Sequence, residues 1–249
     1  MTPRHVVVGV DDSPASLRAL DMAAREAEHC GALLEIVHAV PALDRAGPVL
    51  ESAVSRVMER HPELPVTGTP VVGDPARALV RRGRNAVLTV VGHRGLGGAA
   101  GLLLGSVSLR VAAGARGPLL VVRGNRLPDE RRPERRGVLL GADEATDAEA
   151  AVYAFREAER RGTALRIRQT GPPGPARSRA GRRRDHDRRR GLLWATGRAD
   201  VVVVPAHRRP GPFGPRLSPV VQALLRRSHC AVILVPVTAP AHRSLGTAA

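Results

Sequence analysis

Val6-Val-Val-Gly-Val-Asp-Asp-Ser-Pro14 reads as a buried strand that runs directly into a helix. Val6 to Val10 is an apolar, mostly β-branched run with no polar alternation, the pattern of a parallel strand covered on both faces. Ser13 is placed to cap a helix with Pro14 at its first position. The apolar stripe of Leu17, Leu20, Met22 and Ala27 then carries that helix to a stop at Gly31. The unit returns later in the chain. Gly9-Val10-Asp11 recurs as Gly141-Ala142-Asp143, and Arg25-Glu-Ala-Glu28 with Gly31 recurs as Arg156-Glu-Ala-Glu159 with Gly162.

Further strands are expected at Leu34 to Val40, near Pro65 to Val72, at Val87 to Val91 and at Leu119 to Arg123. Helices are expected from Pro48 to His61, from Asp74-Pro75 through Arg82, and from Ser106 to about Ala113. Strands alternating with helices predict an α/β fold built on a doubly wound parallel sheet. The repeat offset is 132 at Asp11/Asp143 but 113 at Leu88/Val201 and at Pro118/Ala231, so the second copy is shorter by 19 residues. The loss falls between a strand near Leu165 to Arg168 and Asp200. There a helix and a strand give way to the Arg/Gly/Pro-rich stretch Gly171 to Gly191, expected to be a poorly ordered loop with a helical end near Leu192. The expectation is two tandem doubly wound parallel-sheet, Rossmann-like domains, the second shortened. They span 1–125 and 137–238, with a linker at 126–136 and a flexible tail at 239–249.

The 249 residues are 43% hydrophobic and 25% charged, with only 2% aromatic, so the core must be built from Val, Leu, Ile and Ala. All 39 basic residues are arginine. Without lysine there is no P-loop, no Schiff-base lysine and no kinase-type strand lysine. A bound nucleotide would have to meet backbone N–H groups, hydroxyls, arginines or a metal. The net charge of +16 is concentrated in Arg126 to Arg136 and Arg177 to Arg190, runs that lack stacking aromatics. That distribution argues against nucleic acid as the primary partner. Cys30 and Cys230 are too few for a disulfide framework or a zinc site, and no run approaches a membrane span, so a cytoplasmic protein without membrane association is expected.

The motif that carries chemistry is Gly92-His-Arg-Gly95, nine residues, then Gly105-Ser106. It lies between a buried strand and a helix, at the carboxyl end of the sheet where open α/β folds bind ligands. Gly92 and Gly95 permit positive φ and leave no Cβ between backbone and ligand. Gly105 allows equally close approach, and Ser106 is expected to cap a helix whose N–H groups attract anions. This is a phosphate cradle that needs no lysine. The spacing Gly-x2-Gly-x9-Gly-Ser resembles the ATP-binding members of the universal stress protein family. So do the flanking words Val8-Gly-Val-Asp-Asp-Ser13, Val37-His38-Ala39, Gly73-Asp-Pro-Ala76 and Gly105-Ser-Val-Ser108. The resemblance covers nearly all of residues 4 to 124 and, more weakly, 137 to 237, and it implies a tandem member.

By position, the resemblance implies that Asp11 contacts the ribose or adenine region and that Ala39 lines the adenine pocket. Gly92, Gly95, Gly105 and Ser106 would hold ribose and phosphates, with Mg2+ bridging phosphate oxygens. Gly9, Val91 and Val107 are neighbouring wall candidates, and Arg94 is a candidate phosphate contact. For Asp11 the competing reading is a helix cap, and for the glycines it is a tight turn. His38 reads as a satisfied core histidine, and Asp185-His186-Asp187 as solvated loop rather than a metal site. Ser106 or Ser108 could accept a phosphoryl group, since some members of the family autophosphorylate, but cap and surface hydroxyl are the favoured roles. In the second copy Gly92, Gly95, Gly105 and Ser106 become Pro205, Arg208, Ser218 and Pro219. That copy is expected not to bind ATP and to serve as the pseudo-dimer partner of the first, with a further homodimer left open. The alternatives to an adenine-nucleotide-binding stress protein are a slow autophosphorylating or ATP-hydrolysing protein, and a nucleotide-independent scaffold making nucleic-acid contacts through its arginine loop.

Overall fold

The computed structural model describes residues 4–42, 47–93, 105–123, 137–142, 148–169, 189–209 and 216–237. The first copy of the repeat runs β1 (His5–Val10), α1 (Pro14–Cys30), β2 (Leu33–Val40), α2 (Gly47–Arg60), β3 (Val66–Val72), α3 (Pro75–Arg82), β4 (Leu88–Gly92), α4 (Ser106–Gly114) and β5 (Leu119–Val122). The second runs β6 (Val138–Ala142), α5 (Ala148–Arg160), β7 (Leu165–Gln169), α6 (189–195), β8 (Val201–Ala206), the short strands β9 (Arg208–Arg209) and β10 (Arg216–Leu217), α7 (Pro219–Arg227) and β11 (Ala231–Pro236). Helix α1 starts as its sequence dictates. Ser13 caps it by accepting from the Ser16 N–H, Pro14 opens it, and Gly31 ends it at φ +56.

The strands form one nine-stranded sheet in the order β3-β2-β1-β4-β5-β11-β8-β6-β7. The repeat seen in sequence is reproduced in the ladders residue by residue. Val6 stands opposite Leu34 and Leu88, and its counterpart Val138 stands opposite Leu165 and Val201. Pairing is parallel throughout this sheet except between β5 and β11, where Leu120 faces Ile233, Val121 faces Val232 and Leu119 faces Leu234. Leu120 and Ile233 are equivalent positions of the repeat, so this seam is its own image under exchange of the copies. Two parallel sheets were expected; the antiparallel seam makes them one. β5 and β11 are wholly apolar runs with almost every residue buried, and leaving either as an edge would strand its backbone groups without partners.

Alternate residues feed two cores. Val6, Val8, Val10, Leu34 and Ile36 pack under α1 and α2, in a cluster that continues to Ala150, Ala154 and Ala158 of α5. Val7, Val37, Val91 and Leu139 pack with α3, α4, α6 and α7 on the opposite face. Where α1 meets α5, Glu26 and Glu157, each 2% exposed, share Arg160 and Arg161. Arg160 also donates to Cys30 Sγ at 2.7 Å. Cys30 and Cys230 are free thiols, and burial pushes Cys230 up to about 12.

Helices α3 and α4 are tied by Asp74, which caps α3 by accepting from the Arg77 N–H at 2.9 Å and pairs with Arg110 of α4 at 2.6 Å. The hydrogen bond from Arg77, and then Arg110, hold its carboxyl below the usual carboxylate range. Asp74→Ala is expected to lower stability by about 1 kcal/mol, the usual worth of a cap, read as a shift in urea midpoint at pH 7. Because the folded carboxyl titrates lower than the unfolded one, this contribution is full above the ordinary Asp range. It fades as pH falls through the folded value, so mutant and parent should converge in acid.

Candidate functional site

The carboxyl end of β1 is built by a local network. Asp11 Oδ1 accepts from Ser13 Oγ at 2.6 Å and from the Ser13 N–H at 3.2 Å, and Ser13 Oγ accepts from the Ser16 N–H at 3.1 Å. Asp12 sits between them at φ +61, a left-handed conformation that short polar side chains tolerate. One carboxylate oxygen of Asp11 therefore shapes the turn into α1. His38 Nδ1 lies 2.8 Å from the Val10 carbonyl. A carbonyl only accepts, so Nδ1 carries the proton, and the ring ties the carboxyl ends of β1 and β2 as a core histidine would.

Gly9, Val91 and Ala39 lie on the sheet face covered by α3 and α4. A Cβ on Gly9 would come within 2.7 Å of Leu79 Cδ1, so the missing side chain makes room for α3. Ala39 stands opposite Val71 in the β2–β3 ladder and is half-buried. Val91 is buried, and Val107 on the first turn of α4 packs against the same cluster. These small and apolar residues line up along the ends of β1, β2 and β4.

The glycine-rich segment leaves the sheet at His93 and returns at Gly105. The His93 N–H donates to the Val122 carbonyl at 3.0 Å, and the His93 carbonyl accepts from the Gly105 N–H at 2.8 Å, which closes a neck. Arg94 and Gly95 lie outside the described residues. Gly105, at φ −59, takes the N-cap position of α4 and supplies no side-chain bond. Ser106, expected to be the cap, is instead the exposed first helical residue. Ser108 is not the surface hydroxyl expected: it is buried, and its Oγ donates to the Gly92 carbonyl at 2.5 Å. Nothing in the spacing Gly105-Ser-Val-Ser108 distinguishes the two serines. Only the fold of α4 back onto β4 assigns them. Gly92 also departs from expectation, since its φ is not among the positive ones. Its Cβ would lie 2.7 Å from the Ala15 carbonyl oxygen, so glycine is needed there for the approach of α1.

The second copy differs at the matching places. Pro205 lies within β8 opposite Val235, Ser218 caps α7 by accepting from the Val221 N–H at 3.3 Å, and Pro219 opens that helix. The helix start that α4 leaves without a side-chain cap is thus closed in α7. Asp143 and Asp185-His186-Asp187 lie outside the described residues. Among the described residues no group of three His, Cys, Asp or Glu is placed to hold a metal, and no helix is long and apolar enough to cross a membrane.

Comparison with known proteins bears on this geometry. The profile of the universal stress protein family matches residues 2–123, from before β1 to the end of β5. The N-terminal half of this chain belongs to the universal stress protein family. A universal stress protein of Mycobacterium tuberculosis is 40% identical over 137 residues, 49% of this chain and 46% of that protein. Another from the same organism is 32% identical over 196 residues, 64% of this chain and 60% of the relative. The chain spans about half the length of the first of these curated relatives. The crystal structure of a universal stress protein from Archaeoglobus fulgidus shares the fold, with a TM-score of 0.64 at 15% identity over 95% of this chain and 99% of that one. A universal stress protein solved in complex with cAMP is 33% identical over 49% of this chain and 99% of that chain, at a TM-score of 0.42.

Proposed function

We propose that the N-terminal half binds an adenine nucleotide, ATP with Mg2+, at the carboxyl ends of β1, β2 and β4. On this reading the protein is a cytoplasmic stress-response regulator whose conformation or partner choice follows nucleotide occupancy. The observation that carries it is the contrast between equivalent helix starts. α4 begins at Gly105 with no side-chain cap, whereas α7 is closed by Ser218 and Pro219. Uncapped N–H groups at a helix start attract anionic oxygens. The neck between His93 and Gly105 holds the ends of the glycine-rich segment beside them.

In this role Gly105, Ser106 and the segment from Gly92 through Arg94 and Gly95 meet ribose and phosphates. Asp11 serves the ribose side, and Gly9, Ala39, Val91 and Val107 form the apolar wall. Mg2+ would neutralise phosphate charge and be held through phosphate oxygens. The second copy is the pseudo-dimer partner, joined through β5 and β11, and takes no nucleotide. Should phosphoryl transfer occur, exposed Ser106 is the acceptor, because Ser108 is buried and already donates to Gly92.

Calorimetric titration of the full chain with Mg-ATP is expected to saturate at one nucleotide per chain, with Gly105→Val abolishing binding. Gly105 has φ −59 and ψ 144, values open to valine, so the variant should keep the parent's thermal transition. Absence of saturable binding to the parent, or undiminished binding to the variant, refutes the reading.

A further inference from the structure

Among the described residues, nothing in the second copy stands where β3 covers β2 in the first, and the residues there have changed character. The register Val6–Leu34 and Val138–Leu165 makes Glu35, Ile36 and Val37 of β2 the counterparts of Arg166, Ile167 and Arg168 of β7. In the first copy β3 lies beside β2, and Ile36 is 0% exposed. Among the described residues no strand lies beyond β7, and Ile167 is 62% exposed with an exposed arginine on either side.

The neighbouring helix has changed in the same sense. Gly31 and Gly162 align α1 with α5, which makes Asp21 the counterpart of Val152 and Ala24 that of Phe155. Asp21 holds Arg56 and Arg60 of α2. Its replacement Val152 is 51% exposed, and Phe155 is 55% exposed. A face merely left to solvent has no use for a Val in place of Asp or a Phe in place of Ala. Exposed apolar residues on α5 and β7, beside a strand edge with no partner among the described residues, fit a surface kept for a partner.

We propose that the open edge of β7 binds an extended segment of another protein in which carboxylates alternate with apolar residues. A strand added to an edge presents successive side chains to opposite faces. Apolar residues would meet Ile167, Val152 and Phe155, and the intervening carboxylates would meet Arg166 and Arg168. The charge at this edge is reversed relative to the first copy, where Glu35 accepts from Thr69 of β3 at 3.0 Å and pairs with Arg82. The chain's own stretch 170–188 is a poor occupant, with six arginines against two aspartates. A second copy is equally poor, since β7 against β7 sets arginine rows against each other.

Trp194 offers an internal reporter. It is the chain's one tryptophan, 61% exposed, with the Arg198 guanidinium 4.6 Å from its ring centroid. Arg166 donates to the Arg198 carbonyl, so a carboxylate engaging Arg166 disturbs that stack. The probe is a labelled eight-residue peptide of alternating Glu and Val, titrated into the full chain by anisotropy and by Trp194 emission. Saturable binding is expected, weakened at least about tenfold in Arg166→Glu/Arg168→Glu and restored there by the Lys/Val version of the peptide. Val152→Ser with Phe155→Ser, both exposed and therefore compatible with folding, should also weaken it without changing charge. The proposal is overturned by no saturation at millimolar peptide, by equal binding to parent and both variants, or by displacement of the peptide by a single-stranded oligonucleotide. Self-association of the parent abolished by the arginine variant also overturns it, in favour of a second copy.

Discussion

Glu157→Ala is expected to destabilise the chain by about 3–5 kcal/mol, the cost of stripping one partner from a buried ion cluster. Glu157 and Glu26 are each 2% exposed, and Arg160 and Arg161 each reach both carboxylates. Two acids and two guanidinium groups balance. Removing either acid leaves two guanidinium groups, only 23% and 16% exposed, sharing one carboxylate, so one largely desolvated positive charge loses its partner. Glu26→Ala should act in the same direction. Replacing all four by well-packed apolar residues should cost far less than the single changes together, because the desolvation penalty disappears with the attraction. Urea unfolding of the two single variants and the quadruple variant measures this directly. A loss below about 1 kcal/mol for Glu157→Ala would mean that the cluster is wetter than its burial indicates.

The composition of this cluster also bears on assembly. Glu26 and Glu157 are equivalent in the repeat, but the residues matching Arg160 and Arg161 are His29 and Cys30. Both arginines therefore come from the second copy. If two N-terminal halves met through this surface, two Glu26 carboxylates would face each other with no arginine from His29 or Cys30 to neutralise them. The charge pattern favours first copy against second within one chain, which agrees with a β5–β11 seam that maps onto itself.

Much of the architecture is readable along the chain because it is local. The apolar run Val6 to Val10, the Ser13-Pro14 start, the Asp74-Pro75 start and the two repeat offsets each depend on residues close together in sequence, and the ladders keep those offsets. What was not legible depends on packing between distant segments. Leu119 to Val122 is apolar whether its neighbour runs parallel or antiparallel, so β11 as its partner could not be read from it. Arg25-Glu-Ala-Glu28 is visible as a repeated word, yet that Glu26 is buried against arginines 134 and 135 residues away follows only from α1 meeting α5. At the candidate site, the preference for serine at a helix start pointed to Ser106. The fold gives that position to Gly105 and draws Ser108 inward to the Gly92 carbonyl.

Gly92 and Gly105 belong to one sequence motif but should respond oppositely to substitution. Gly92→Ala is expected to cost about 1–3 kcal/mol, and Gly92→Val more, because the added Cβ meets the Ala15 carbonyl oxygen at 2.7 Å and its carbon at 2.8 Å. Those are backbone atoms in the first turn of α1 and cannot rotate aside. That turn is pinned by Asp11, Ser13 and Ser16, so any shift that relieves the clash moves the end of β1 as well. Gly92→Ala should therefore lower the urea midpoint first and weaken Mg-ATP binding as a consequence, whereas Gly105→Val should abolish binding at an unchanged midpoint. Loss of binding in Gly92→Ala with the midpoint intact would reverse this assignment. Contact with the ligand would then be the glycine's main role, and the close approach of α1 would be incidental.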